Sequence, residues 1–157
     1  MAEIIKGRYK PGMCGPACLA WACYELTDYY PSQKQIAREM GINEEWGTTG
    51  EEMLKGVAML GLTGEWVQKG LDELKKELDG GSSVIVNYMS GPNQQEDGHY
   101  SVLSNATRDT VTLQDPEWIG SLKIMHRKLF EGIWWDVTET GEKLEKWALI
   151  VKRRPKR

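Results

Sequence analysis

Residues 14–26 read Cys-Gly-Pro-Ala-Cys-Leu-Ala-Trp-Ala-Cys-Tyr-Glu-Leu. Ala17, Cys18, Trp21, Ala22 and Leu26 recur at helical spacing, with good helix formers between them. Pro16 falls near the start, where the missing N–H has no intrahelical partner to lose. Because the segment is apolar on nearly every side, it reads as a buried helix rather than one laid on the surface.

Working outward, Pro31-Ser32-Gln33-Lys34-Gln35 opens a second helix with a Ser-x-x-Gln capping box, ending at Gly41. Residues 47–52 open a third, with Thr49 and Glu52 three apart and a stop at Gly61. A short strand is expected over 63–67 and a charged helix over 71–78, stopped by Asp79-Gly80-Gly81. The character then changes. Residues 83–88, 99–106 and 110–115 are β-type runs, the last two joined as a hairpin through Thr107-Arg108-Asp109. A short helix is expected over 125–131, and a closing hairpin pairs 134–138 with 144–152. Helices first and strands second in one chain give an α+β fold. The expected organisation is one domain over 1–151, with a helical half over about 8–80, a β half over about 81–151, and a basic tail at 152–157.

Composition narrows the function. The chain has 157 residues, 40% hydrophobic and 27% charged, with a mean hydropathy of −0.52, which excludes a disordered chain. No apolar run approaches the ~20 residues needed to span a bilayer, and no secretory signal opens the chain, so a cytoplasmic location is expected. The net charge of −3 argues against a nucleic-acid binder. Three cysteines within ten residues do not form a disulfide framework. A zinc site would need further ligands that the sequence does not supply at suitable spacing, so neither metal nor cofactor is expected.

Cys14 stands at the start of the first helix, where free N–H groups and the macrodipole favour a thiolate. The same residue also reads as a small buried hydrophobe, as Cys18 and Cys23 do from inside the helix. Glycines on both sides of it leave room for a substrate backbone. Of two histidines, His126 lies in a charged, solvated stretch, whereas His99 follows Asp97-Gly98 at a loop-to-strand boundary. A histidine base needs an acceptor on its second nitrogen. The hairpin places Asp115, at the end of the neighbouring strand, beside His99.

Cys14-Gly15-Pro16-Ala17-Cys18-Leu19, Gly47-Thr48-Thr49, His99-Tyr100-Ser101-Val102-Leu103 and Asp115-Pro116, in that order, resemble the bacteriocin-processing, double-glycine leader peptidase family. The resemblance implies a papain-like fold and a peptide or protein substrate, with an exporter as a possible partner. It makes Cys14 the nucleophile, His99 the base and Asp115 the orienting group. The family carries a Gln six residues before the nucleophile, whose amide helps form the oxyanion hole; here that position is Arg8, with the backbone N–H of Cys14 as the other donor. Arg8 therefore opens an alternative, a peptide-docking module of the same fold without turnover. Trp46, Trp66 and Trp118 are candidates for cleft walls.

Overall fold

A computed structural model describes residues 13–42, 48–90, 97–114, 122–138 and 140–155. The first helix, α1 (Cys14–Thr27), is buried at ten of its 14 residues, as its all-round apolar sequence demands. Two further helices pack against it, α2 (Gln33–Met40) and α3 (Gly50–Met59). The capping box of α3 is complete: Thr49 Oγ1 accepts the Glu52 N–H and the Glu52 carboxylate accepts the Thr49 N–H. That of α2 is one-sided. Ser32 Oγ accepts the Gln35 N–H, but the Gln35 side chain turns along the helix to Glu39.

Strand β1 (Leu62–Gln68) and helix α4 (Leu71–Asp79) follow, then strands β2 (Ser83–Ser90), β3 (Asp97–Ala106), β4 (Thr110–Gln114) and β5 (Leu122–His126). The chain closes with α5 (Arg127–Ile133), β6 (Trp135–Val137), β7 (Lys143–Glu145) and β8 (Trp147–Arg153). Six strands form one antiparallel sheet in the order β1-β8-β2-β3-β4-β5, while β6 and β7 form a separate ribbon.

The sheet separates two apolar clusters. On one face α1, α2 and α3 pack on Ile85, Tyr100, Val102, Leu149 and Val151. On the other, Leu71 and Leu74 of α4 and Phe130 and Ile133 of α5 pack on Val84, Val86, Tyr88, Leu103 and Leu113. The mixed helix and antiparallel-sheet architecture is the expected α+β class.

Three local expectations change. Met125 and His126 belong to β5 rather than to a helix, which begins only at Arg127. Strand β5 lies at the sheet edge with Leu122 and Ile124 exposed, so its apolar alternation faces outward instead of marking a buried face. The closing hairpin is split at Lys146, whose φ of 57° breaks the strand and whose N–H donates to the Trp134 carbonyl. Strand β7 therefore pairs with β6, and β8 enters the main sheet between β1 and β2. The basic tail also starts later than expected. Lys152 and Arg153 continue β8, and the Arg153 guanidinium donates to the Leu26 carbonyl at the end of α1.

Helix α3 seats closely because Gly56 has no side chain: a Cβ there would meet Leu19 Cδ1 at 2.6 Å and Met40 Sδ at 2.8 Å. Gly132 in α5 has nothing within 4 Å of such a Cβ. Gly56→Ala should therefore destabilise by about 1–3 kcal/mol, the usual range for overpacking. Gly132→Ala should be neutral or stabilise by up to about 0.5–1 kcal/mol. Urea unfolding midpoints of the two variants should move in opposite directions or only the first should move.

Candidate active site

Cys14 is the first residue of α1, and Met13 before it supplies no side-chain cap. With no acidic residue in the first turn, the positive end of the helix dipole is not offset by a nearby carboxylate on the helix itself. The sulfur-bearing residue is 7% exposed and lies in the helix-side cluster. Its neighbour Gly15 is not left open for a substrate backbone. A Cβ at Gly15 would meet Thr48 Oγ1 at 2.7 Å and Met53 Sδ at 3.0 Å, so Thr48 already occupies that space. The Thr48 carbonyl accepts a 2.9 Å hydrogen bond from the Tyr100 hydroxyl. Burial pushes the Tyr100 phenol well above its ordinary range, with added repulsion from Cys14 and then Asp136, so the hydroxyl stays protonated and keeps donating. The start of α1 is thus fastened to β3 through Thr48.

His99 lies two residues into β3. Tyr88 is its partner in the register with β2, and the two rings meet edge to face with centroids 5.6 Å apart. The Tyr88 hydroxyl is 2.7 Å from Ser101 Oγ. His99 and Ser101 therefore share one sheet face, as the strand alternation requires, while Tyr100 points to the other face with Cys14.

The β3–β4 hairpin forms, with a bulge between Leu103 and Asn105, and its register ends at Gln114 opposite Val102. Asp115, Arg8, Trp46 and Trp118 lie outside the described residues. Trp66 is half-buried on the helix side, 6.3 Å from the Tyr100 ring and 5.9 Å from Trp147 between centroids. Its indole N–H donates to the Gly50 carbonyl at the start of α3. His126 is exposed. A shallow depression lined by Met13, Lys34, Ala37, Arg38 and Ile42 opens beside the start of α1. Among the described residues no group of three or more His, Cys, Asp or Glu is arranged to hold a metal ion.

Sequence reading overlooked Asp136. Its carboxylate lies against the backbone immediately before His99: a Cβ at Gly98 would sit 2.3 Å from Asp136 Oδ2. Burial raises its pKa, opposed by hydrogen bonding from the Val137 N–H and the Asn87 side chain. The one legible signal was glycine beside the candidate base, since nothing in Trp134-Trp135-Asp136-Val137 marks the carboxylate itself.

A family model described as the peptidase C39 family matches residues 10–143. The chain belongs to the peptidase C39 family. Solved structures agree on the fold. The C39 chain aligns with the peptidase domain of Streptococcus ComA, a bi-functional ABC transporter involved in quorum sensing, at a TM-score of 0.74 and 18% identity, over 95% of this chain and 97% of that one. It aligns with a double glycine motif protease from an AMS/PCAT transporter, solved with its leader peptide, at a TM-score of 0.66 and 17% identity, over 94% and 89%. A C39-like peptidase from Bacillus anthracis gives 0.69 and 15%, over 92% and 90%. No curated protein matches the sequence. The fold is therefore that of papain-like C39 peptidases. Cys14, His99, Asp115 and Asp136 fall within the family match, and Arg8 falls outside it. Among the described residues no helix is long and apolar enough to cross a membrane.

The raised pKa of Asp136 has a consequence for stability. A carboxyl whose folded pKa lies above its ordinary 3.8 is destabilising once ionised, and the effect disappears below 3.8, where folded and unfolded chains are both protonated. Asp136→Asn should then raise the thermal midpoint at pH 7, with the gain vanishing only once the pH is well below 3.8. Scanning calorimetry at both pH values checks the sign.

Proposed function

We propose that the chain hydrolyses a peptide bond in a peptide or protein substrate, with Cys14 as nucleophile, His99 as general base and Asp115 orienting the imidazole. Membership of a peptidase family supports the class. The placement of Cys14 at an uncapped helix start, held to the sheet through Thr48 and Tyr100, is the observation that carries the choice of nucleophile.

In this reading His99 takes the Cys14 thiol proton and the thiolate attacks the scissile carbonyl carbon. The negative oxygen that forms is met by the Cys14 backbone N–H and by Arg8. The C–N bond breaks as His99 returns the proton to the leaving amine, leaving a thioester on Cys14. Water, deprotonated by His99, then releases the acid and restores the thiol. Contacts between base and nucleophile are often long in an empty site and shorten in the substrate complex. The likeness to transporter peptidase domains makes a leader peptide met in the cytoplasm the first substrate to test, with an exporter as partner.

One observation favours a second reading, docking without turnover: the Cys14 residue is only 7% exposed within an apolar cluster. Iodoacetamide separates the two. An activated thiol gives rapid labelling confined to Cys14 near neutral pH and slowed in His99→Ala; labelling no faster than a thiol of pKa ~8.5 overturns the peptidase reading. On a peptide with a Gly-Gly leader motif, Cys14→Ala should lower kcat by at least about 10³-fold. Arg8→Gln should leave turnover level or raise it, because it restores a neutral amide donor at the oxyanion position.

A further inference from the structure

We propose that the depression beside the start of α1 is a subsite for an acidic side chain, aspartate or glutamate, of the substrate peptide. This deepens the peptidase reading and rests on it. The depression is open to solvent and has a volume of about 190 Å³. Met13, Ala37 and Ile42 form its apolar part, and Lys34 and Arg38 its charged part. The volume lies below the ~300–1,000 Å³ of a small-molecule pocket and suits a single side chain.

Its charge is all of one sign. Lys34 and Arg38 stand four residues apart on α2 and share one face of the helix, with Ala37 on the same face. Like charges at this spacing repel each other, and neither is answered here. Among the described residues no carboxylate forms an ion pair with Lys34 or Arg38. Glu39, next to Arg38 in sequence, lies round the helix and accepts from the Gln35 side-chain amide instead. Elsewhere on the surface Lys69, Lys75, Arg127 and Lys143 each have a carboxylate partner. Met13, one wall of the depression, leaves α1 without a side-chain cap, and the first turn of α1 holds no acid. The positive end of that helix therefore adds to the same sign.

A ligand that fits both parts carries a negative group on a short apolar stem. An acidic side chain meets both conditions: the Arg38 guanidinium donates to both carboxylate oxygens, Lys34 adds a point charge, and the methylene stem rests on Met13, Ala37 and Ile42. A basic side chain is repelled, and a neutral one leaves two cations unanswered. The depression also lies within reach of the proposed chemistry. Met13 directly precedes Cys14, so their Cα atoms are ~3.8 Å apart, and Lys34 to Arg38 spans ~6 Å along α2. An extended peptide advances ~3.3–3.6 Å per residue, so one whose scissile carbonyl is at Cys14 enters the depression within about four residues.

A synthetic decapeptide pool with a central Gly-Gly and all other positions randomised tests this. The pool is equilibrated with the Cys14→Ala protein and the retained peptides are sequenced by mass spectrometry. Aspartate or glutamate should be enriched at least about ten-fold at one position within about four residues of the Gly-Gly, corresponding to ~1.4 kcal/mol. Cys14→Ala/Lys34→Glu/Arg38→Glu should exchange that preference for lysine or arginine at the same position. Cys14→Ala/Ala37→Leu, which fills the depression and keeps both cations, should abolish it, while circular dichroism shows both variants folded. If Ala37→Leu fails to fold, the charge-reversed variant decides alone. Enrichment that is absent, or that survives charge reversal or filling of the depression, overturns the subsite. Wild-type protein is then given the same pool. Acidic selectivity that reverses with the charges but comes without cleavage would sink the peptidase reading and leave the subsite, and cleavage without acidic selectivity would do the reverse.

Discussion

The contact between Thr48 and Gly15 is the constraint on which the geometry of the candidate site depends. Thr48 fills the space beside the second residue of α1, and its carbonyl is held by a hydroxyl that burial keeps protonated. The helix start, the approach to α3 and strand β3 are thereby joined at one point. Met53 closes the same spot from α3, and the Thr49–Glu52 capping box fixes how that helix leaves it. A side chain at position 15 would part these elements, and Cys14 would move with α1.

From that point the sheet distributes chemistry between its faces. Alternation along β3 sends Tyr100 toward Cys14 and His99 toward Tyr88. Two consecutive residues thus serve different layers, one fastening the helix that begins at Cys14 and the other holding the imidazole against an aromatic wall. The helix side also brings Trp66 against Tyr100 and Trp147 against Trp66, an aromatic surface beside the thiol, thioether and aliphatic side chains of the cluster.

Much of the architecture was legible because local patterns were strong. The helix from Cys14, the capping box at Thr49, the stop at Gly41 and the β3–β4 hairpin each had a turn, cap or period that specifies it. Where reading failed, the local signal was weak or answered to distant partners. Strand β5 shows its apolar residues to solvent at an edge, so its alternation did not announce a buried face. The break at Lys146 depends on a carbonyl twelve residues earlier and on the gap between β1 and β2 that β8 fills.

The order of residues along the chain was enough for the α+β class and for the helix that begins at Cys14, since caps, periods and residue chemistry act over a few positions. Which face His99 takes, why Gly15 and Gly98 lack side chains, and that a carboxylate from a remote ribbon covers the latter are matters of approach between elements far apart in the chain. Short-range preferences carry no information about such approaches. They follow from how the sheet twists, which strands neighbour one another, and how much volume each layer leaves for the next.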